Sequence, residues 1–198
     1  MSDAVALHGR KPLVLGDLVP GTLFRDILLV VGAAGVVGLL AQVSIRLSFT
    51  PVPITGQTLG VLLSGTVLGW RRGAAAMALY AVAGVAGVPW FADHAHGYVG
   101  ASFGYIVGFV LCAALCGYLA QRGADRSVSR SVPAMVAGEL VIYLWGVTWL
   151  ALSLHVGAAR AISLGFVPFL AGDAIKAALA AVALPGAWRL LGAERGAR

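Results

Sequence analysis

The sequence predicts an all-α membrane protein of six transmembrane helices with both termini in the cytoplasm. Three observations carry that prediction. Only 11% of the 198 residues are charged against 60% hydrophobic, with a mean hydropathy of +0.91, whereas soluble domains hold about 25% charged residues. Six apolar segments follow one another with no room between them for a soluble domain. The basic residues gather on alternate connections, which orients a membrane protein. The formal net charge of +6 therefore reads as topology and not as nucleic-acid binding.

The segments fall in order along the chain. The first runs from about Leu23 to Leu47, the second from Gly56 to Trp70 and the third from Gly73 to Val88. The fourth runs from about Ala101 to Gln121, the fifth from Pro133 to His155 and the sixth from Leu164 to Leu191. A hydrocarbon core about 30 Å thick needs roughly 20 helical residues. The second and third are short, so they are expected to be tilted, irregular or sheltered by other helices. Residues 1–22 form a cytoplasmic N-terminal segment, 23–191 the six-helix domain and 192–198 a cytoplasmic tail. Asp3, Arg10, Lys11 and Asp17 interrupt the start of the chain, so it does not read as a secretory signal.

Arg10, Lys11, Arg25, Arg71, Arg72, Arg122, Arg126, Arg130, Arg189, Arg195 and Arg198 share one side of a six-span arrangement, while Arg46 and Arg160 lie on the other. Eleven against two places both termini in the cytoplasm. The opposite side then consists of residues 48–55, 89–100 and 156–163. In the first of these, Pro51 and Pro53 stiffen an apolar stretch, which suits a flap folded over a cavity. The second is rich in aromatics and suits a cap. Interfacial anchoring is the alternative for both.

Few residues are equipped for chemistry. Asp173 and Lys176 lie three apart in an apolar run, hence on one helix face. Each charge would cost roughly 2.5–3.5 kcal/mol in hydrocarbon, so the pair must face protein, water or each other. It falls in the outer half of the sixth segment, near the two flaps. Gln57, with Thr58, opens the second segment just under the first flap, where it can offer a donor and an acceptor or simply be capped by Thr55. Glu139 and Tyr143 share a face of the fifth segment, and Glu139 is expected to snorkel or to pair with a loop arginine. Asp93, His94 and His96 do not complete a closed zinc set. Cys112 and Cys116 read as small buried hydrophobes. No Walker A, Gly-x-Ser-x-Gly or zincin pattern is present, so neither ATP chemistry nor a catalytic set is expected, and no cofactor. Ala34 and Gly38, a small-xxx-small pair in the first segment, offer a close helix contact within the chain or with a partner.

Three motifs occur together and in order: Pro51-Val52-Pro53-Ile54-Thr55-Gly56-Gln57-Thr58-Leu59-Gly60; Tyr80 and Gly84, Gly87-Val88-Pro89-Trp90-Phe91-Ala92, then Gly104-Tyr105-Ile106-Val107-Gly108-Phe109; and Gly165-Phe166-Val167-Pro168-Phe169-Leu170-Ala171-Gly172-Asp173-Ala174-Ile175-Lys176. The chain resembles the BioY family, the biotin-capturing S components of energy-coupling factor (ECF) transporters, over about residues 20–190. The resemblance implies an S-component-like bundle in the bacterial cell membrane. It implies a biotin site near the outer face, and as partners a transmembrane coupling protein and two cytoplasmic ATPases. It assigns Asp173, Lys176, Gln57 and Tyr105 to the ligand site, with Thr55, Tyr143 and Asp93 as further candidates, and Ala34 and Gly38 to partner docking. Where the family often reads Gly-Pro-Thr-Gly before Gly-Tyr, this chain has Gly100-Ala101-Ser102-Phe103. A self-sufficient biotin carrier acting as a homo-oligomer, an S component for another vitamin, and a small intramembrane enzyme using Glu139 or Asp173 remain open.

Overall fold

The computed structural model describes residues 14–21 and 23–196. Asp3, used above on the start of the chain, and Arg10, Lys11, Arg198 and the side chain of Arg195, used for orientation, lie outside the described residues.

The chain is mostly helical. Its helices are α1 (Leu23–Ala41), α2 (Gln57–Val85), α3 (Phe103–Gln121), α4 (Val128–Leu154), α5 (Ala158–Gly165) and α6 (Leu170–Gly196). Four helical stretches, Leu23–Ala41, Gly100–Gln121, Val128–Leu154 and Ala158–Leu191, are long and apolar enough to cross a membrane. Their outer faces are apolar, as lipid requires: Leu23, Phe24 and Leu39 on α1, Leu140 and Leu144 on α4, and Ile175 and Val182 on α6 are exposed.

The two short predicted segments are the two arms of α2. At Gly69 the backbone takes φ 80° and ψ 171°, a conformation essentially reserved for glycine. The chain turns back there, so Gln57 and Tyr80 meet across the arms. The arms touch backbone to backbone near the turn: a Cβ on Gly73 would stand 2.8 Å from Gly65 Cα, and one on Gly65 would stand 2.6 Å from Ala113 O of α3. Glycine at these crossings is what permits the approach. The irregularity expected for these segments is thus a reversal, sheltered by α1 and α3.

Connections alternate between the two ends of the bundle. At one end the Gly69 turn lies beside Gln121. Arg72 there binds Asp17 and reaches Asp26 at 3.2 Å. At the same end Trp188 Nε1 donates to Asp125 Oδ2 at 2.5 Å, with the Arg126 guanidinium 3.5 Å above the indole ring. The opposite end carries residues 48–55, 89–100 and 156–163. The first is no simple loop: β1 (Ser44–Ile45) pairs antiparallel with β2 (Ile54–Thr55). The third was expected to be a connection but contains α5, and α6 starts after a break at residues 166–169 with Pro168 in it.

Candidate functional site

At this second end a cavity of about 490 Å³ opens between the two flaps and the helix ends. The β1–β2 hairpin is fixed over it. Val52 is buried, and Thr50 Oγ1 donates to Leu164 O of α5 at 2.7 Å. The segment 89–100 is fixed by Gln42, the residue just after α1. Its Nε2 donates to Trp90 O at 3.2 Å and Phe91 O at 3.1 Å, while its Oε1 accepts from His94 N at 3.0 Å. Both flaps line the cavity. Phe103, the ring at the departure from the family pattern, packs with Tyr98 and Trp149 at 5.4 and 5.7 Å between centroids. Trp149 Nε1 in turn donates to Gly100 O at 3.1 Å. The extra ring therefore ties the cap to α4.

The polar groups of the cavity lie at its buried end. Asp173, on the first turn of α6, is 6% exposed. Its Oδ1 accepts from Lys176 Nζ at 2.8 Å and from Thr58 Oγ1 at 3.0 Å, and its Oδ2 accepts from the Tyr143 hydroxyl. Lys176 Nζ also donates to Thr55 O at 2.6 Å and Thr58 Oγ1 at 3.1 Å. An ammonium has three N–H groups, so all three are engaged by the chain. A carboxylate has about four lone-pair sites, so one site on Asp173 Oδ2 stays available.

Gln57 is held as firmly. Tyr80 OH donates to Trp90 O at 3.2 Å and therefore accepts from Gln57 Nε2 at 2.7 Å. Thr55 Oγ1 donates to Gln57 Oε1 at 2.8 Å and accepts from Gln57 N at 3.3 Å. These bonds set which way the amide points. They leave it one N–H and one lone pair. Ring walls come from Tyr105, Tyr143, Phe91, Phe109 and Phe169. The Tyr105 hydroxyl is engaged by Gly165 O at 2.7 Å, so that residue presents its ring.

The structure thus brings Asp173, Lys176, Gln57, Thr55, Tyr105, Tyr143 and Asp93 to one cavity. Asp93 stands apart from the buried set, at the open end, where Arg46 Nε donates to its Oδ2 at 2.6 Å. Two expectations need correction. Ala34 and Gly38 do not present a docking face. Both are buried, and the missing side chain of Gly38 makes room for Trp90, whose Cβ would lie 3.1 Å from a Cβ at that position. The open small residues of α1 are Gly32 and Gly35. Glu139 neither snorkels nor pairs with a loop arginine; it is buried, and its two carboxylate oxygens have no hydrogen-bond partner among the described residues. Sequence reasoning also left Thr58, Tyr80 and Arg46 out of the site. Tyr80 lies about as far after Gly69 as Gln57 lies before it, so recognising a reversal there would have paired them.

A profile of the BioY family matches residues 11–193. A biotin transporter BioY of Rhizobium etli is 36% identical over 84% of this chain and 89% of that protein. A biotin transporter BioY of Thermotoga maritima is 40% identical over 72% of this chain and 83% of that protein, and a probable biotin transporter BioY of Pyrococcus horikoshii 35% identical over the same shares. The crystal structure of the S-component for biotin from an ECF-type ABC transporter superposes with a TM-score of 0.76 at 21% identity, covering 86% of this chain and 95% of that one. At that identity the likeness is one of fold.

Proposed function

This chain belongs to the BioY family, and from that premise we propose that it is an integral membrane subunit that captures biotin for uptake. One observation carries the reading: the hydrogen-bonding capacity left over at the buried end of the cavity. Biotin's ureido group has two N–H donors and one carbonyl acceptor. Asp173 Oδ2 and Gln57 Oε1 each retain a lone pair, and Gln57 Nε2 retains one N–H. Two acceptors and one donor match the ureido group. The Gln57 amide takes one N–H together with the carbonyl oxygen, and Asp173 takes the second N–H. Tyr105, Tyr143 and the phenylalanine rings enclose the apolar thiophane ring. Lys176 is saturated by Thr55, Thr58 and Asp173, so it holds the carboxylate in place and does not itself meet the ligand. A site of buried, oriented polar groups discriminates strongly, because a wrong ligand leaves them unpaired.

The bundle crosses the membrane six times, with the arms of α2 as the two short crossings and both termini in the cytoplasm. The cavity then faces outward, and the arginine-rich end with Arg71, Arg72, Arg122, Arg126 and Arg130 faces inward. The chain is a binding and transport module and not an enzyme. A transmembrane coupling protein and two ATPases supply the energy. α1, most of whose surface lies outside the bundle, is the helix left for the membrane partner.

The test is equilibrium binding of labelled biotin to the purified full chain in mild detergent, with unlabelled thiamin and riboflavin as competitors. One biotin per chain, displaced only by biotin, is expected. No binding, or displacement by another vitamin, removes biotin as the ligand. Uptake by this chain alone in cells without coupling proteins would favour a self-sufficient carrier.

A further inference from the structure

The open end of the cavity carries a charged pair that the ureido site does not use. Arg46 follows β1 on one flap, and Asp93 sits on the other. Side-chain exposure falls from 79% at Arg46 and 32% at Asp93 to 17% at Lys176 and 8% at Asp173. Among the described residues, Arg46 and Lys176 are the two Lys/Arg side chains that line the cavity, and every N–H of Lys176 is already engaged. Arg46 is engaged at one edge only. Its Nε donates to Asp93, while its two Nη groups donate to nothing in the chain among the described residues.

An ion pair this exposed contributes about 0–1 kcal/mol to stability, so folding alone does not account for it. The backbone beneath it is strained as well: Asp93 and His94 take φ 57° and 58°, which costs on the order of 1–3 kcal/mol at each non-glycine residue. Geometry gives the pair a use. A guanidinium is a planar fork with five N–H donors. Holding it through Nε fixes its plane and leaves the paired Nη edge facing away from Asp93, the arrangement that takes a carboxylate through two parallel bonds. Biotin's remaining polar group is a carboxylate on a flexible tail. With the ureido group at the buried end, the tail extends toward the hydrated end, where its charge stays solvated.

We propose that Arg46 receives the carboxylate of the ligand's tail, that Asp93 is its positioning residue, and that this pair makes the site selective for the free acid over a neutral amide. The assignment rests on the biotin reading above and extends it. His96, on the same flap and also at the cavity, is the alternative donor.

The experiment compares the affinities of the full-length chain for biotin and for biotinamide, which keeps the ureido and thiophane rings and loses the tail's charge. Wild type is expected to prefer biotin, and the preference is expected to shrink as ionic strength rises. Arg46→Gln should weaken biotin about tenfold, as for one lost charge-assisted contact, and change biotinamide less than twofold, which also shows that the variant is folded. Asp93→Asn should weaken biotin to an intermediate degree, again sparing biotinamide. Equal wild-type affinity for the two compounds, an equal loss of both in Arg46→Gln, or loss of the preference only in His96→Ala overturns the assignment while leaving the biotin reading intact. Failure of wild type to bind either compound overturns the biotin reading and this assignment with it.

Discussion

Lys176 is the residue whose role separates two accounts of the buried site, and a double-mutant cycle with Asp173 decides between them. The perturbations are Lys176→Met, Asp173→Asn and the two combined. The structure fixes the expectation, because Lys176 Nζ spends its three N–H groups on Thr55 O, Thr58 Oγ1 and Asp173 Oδ1, all within 3.1 Å. A lysine with nothing left to donate affects ligand affinity only through what it holds. Asp173→Asn removes a charged acceptor for a ureido N–H, a bond of about 1.5–3 kcal/mol, or roughly tenfold to a hundredfold in affinity. Lys176→Met leaves the carboxylate buried without its counter-charge. Breaking such a pair costs about 3–5 kcal/mol of stability, and it frees Asp173 to turn toward Thr58 and Tyr143. Affinity should then fall by a factor similar to that for Asp173→Asn.

The combined variant is the diagnostic one. If Lys176 acts through Asp173, the double variant binds biotin within about threefold of Asp173→Asn alone, and its thermal stability recovers relative to Lys176→Met because no unpaired charge remains. The assay is equilibrium binding on each purified variant beside a thermal melt in the same detergent. A double variant at least tenfold weaker than Asp173→Asn would show that Lys176 makes its own contact with the ligand, and the donor count behind this reasoning would be wrong.

Three further outcomes follow from the packing. Gly69→Ala should lower the melting temperature by several degrees, since alanine cannot adopt φ 80° and ψ 171° without about 1–3 kcal/mol of strain; an unchanged melt would mean that the reversal does not depend on glycine. Glu139→Gln should leave the melting temperature unchanged or raise it, because the carboxylate has no hydrogen-bond partner to lose and a buried lone charge is costly; a clear loss would reveal a bound counter-charge. Burial pushes the Asp125 carboxyl up from its ordinary value, against the opposing hydrogen bond from Trp188. The folded state therefore holds that proton to higher pH than the unfolded state. The group's contribution is complete below the unfolded value of about 3.9 and lost as pH rises through the folded one. Asp125→Asn, which can still accept from Trp188, should thus be more stable than wild type at neutral pH, with the difference vanishing near pH 4; a difference that grows on acidification would contradict the sign.

How much of this was legible in the sequence depends on what each residue type constrains. A charge inside an apolar run demands a polar partner, and few are available, so Asp173 and Lys176 could be placed together before any coordinates. The stiff apolar flap with Pro51 and Pro53 was legible as a lid for a similar reason: an apolar loop has to be covered. Small residues demand only a close neighbour and leave its identity open. Ala34 and Gly38 have the spacing of a helix contact, but what fills the space is the Trp90 indole of the chain's own flap, so the same spacing misled on docking. α5 was hidden because most of it, Arg160 included, falls in the stretch 156–163 that reads as a connection between two apolar segments, and the break around Pro168 then separates it from α6.

The same distinction explains two of the residues that sequence reasoning passed over at the site. Tyr80 carries no charge and lies on an arm that returns to Gln57 only because Gly69 takes a conformation the sequence permits but does not demand. Arg46 does carry a charge, yet it stands at a segment end on the outer side, where water solvates a guanidinium and no partner is demanded. Its partner Asp93 lies 47 positions away and is joined to it only when both flaps close over one cavity. Polar groups buried in the bundle declare themselves because solvation forces a partner on them. Polar groups at the mouth declare themselves only in the fold, and it is at the mouth that selection of the ligand's charge would take place.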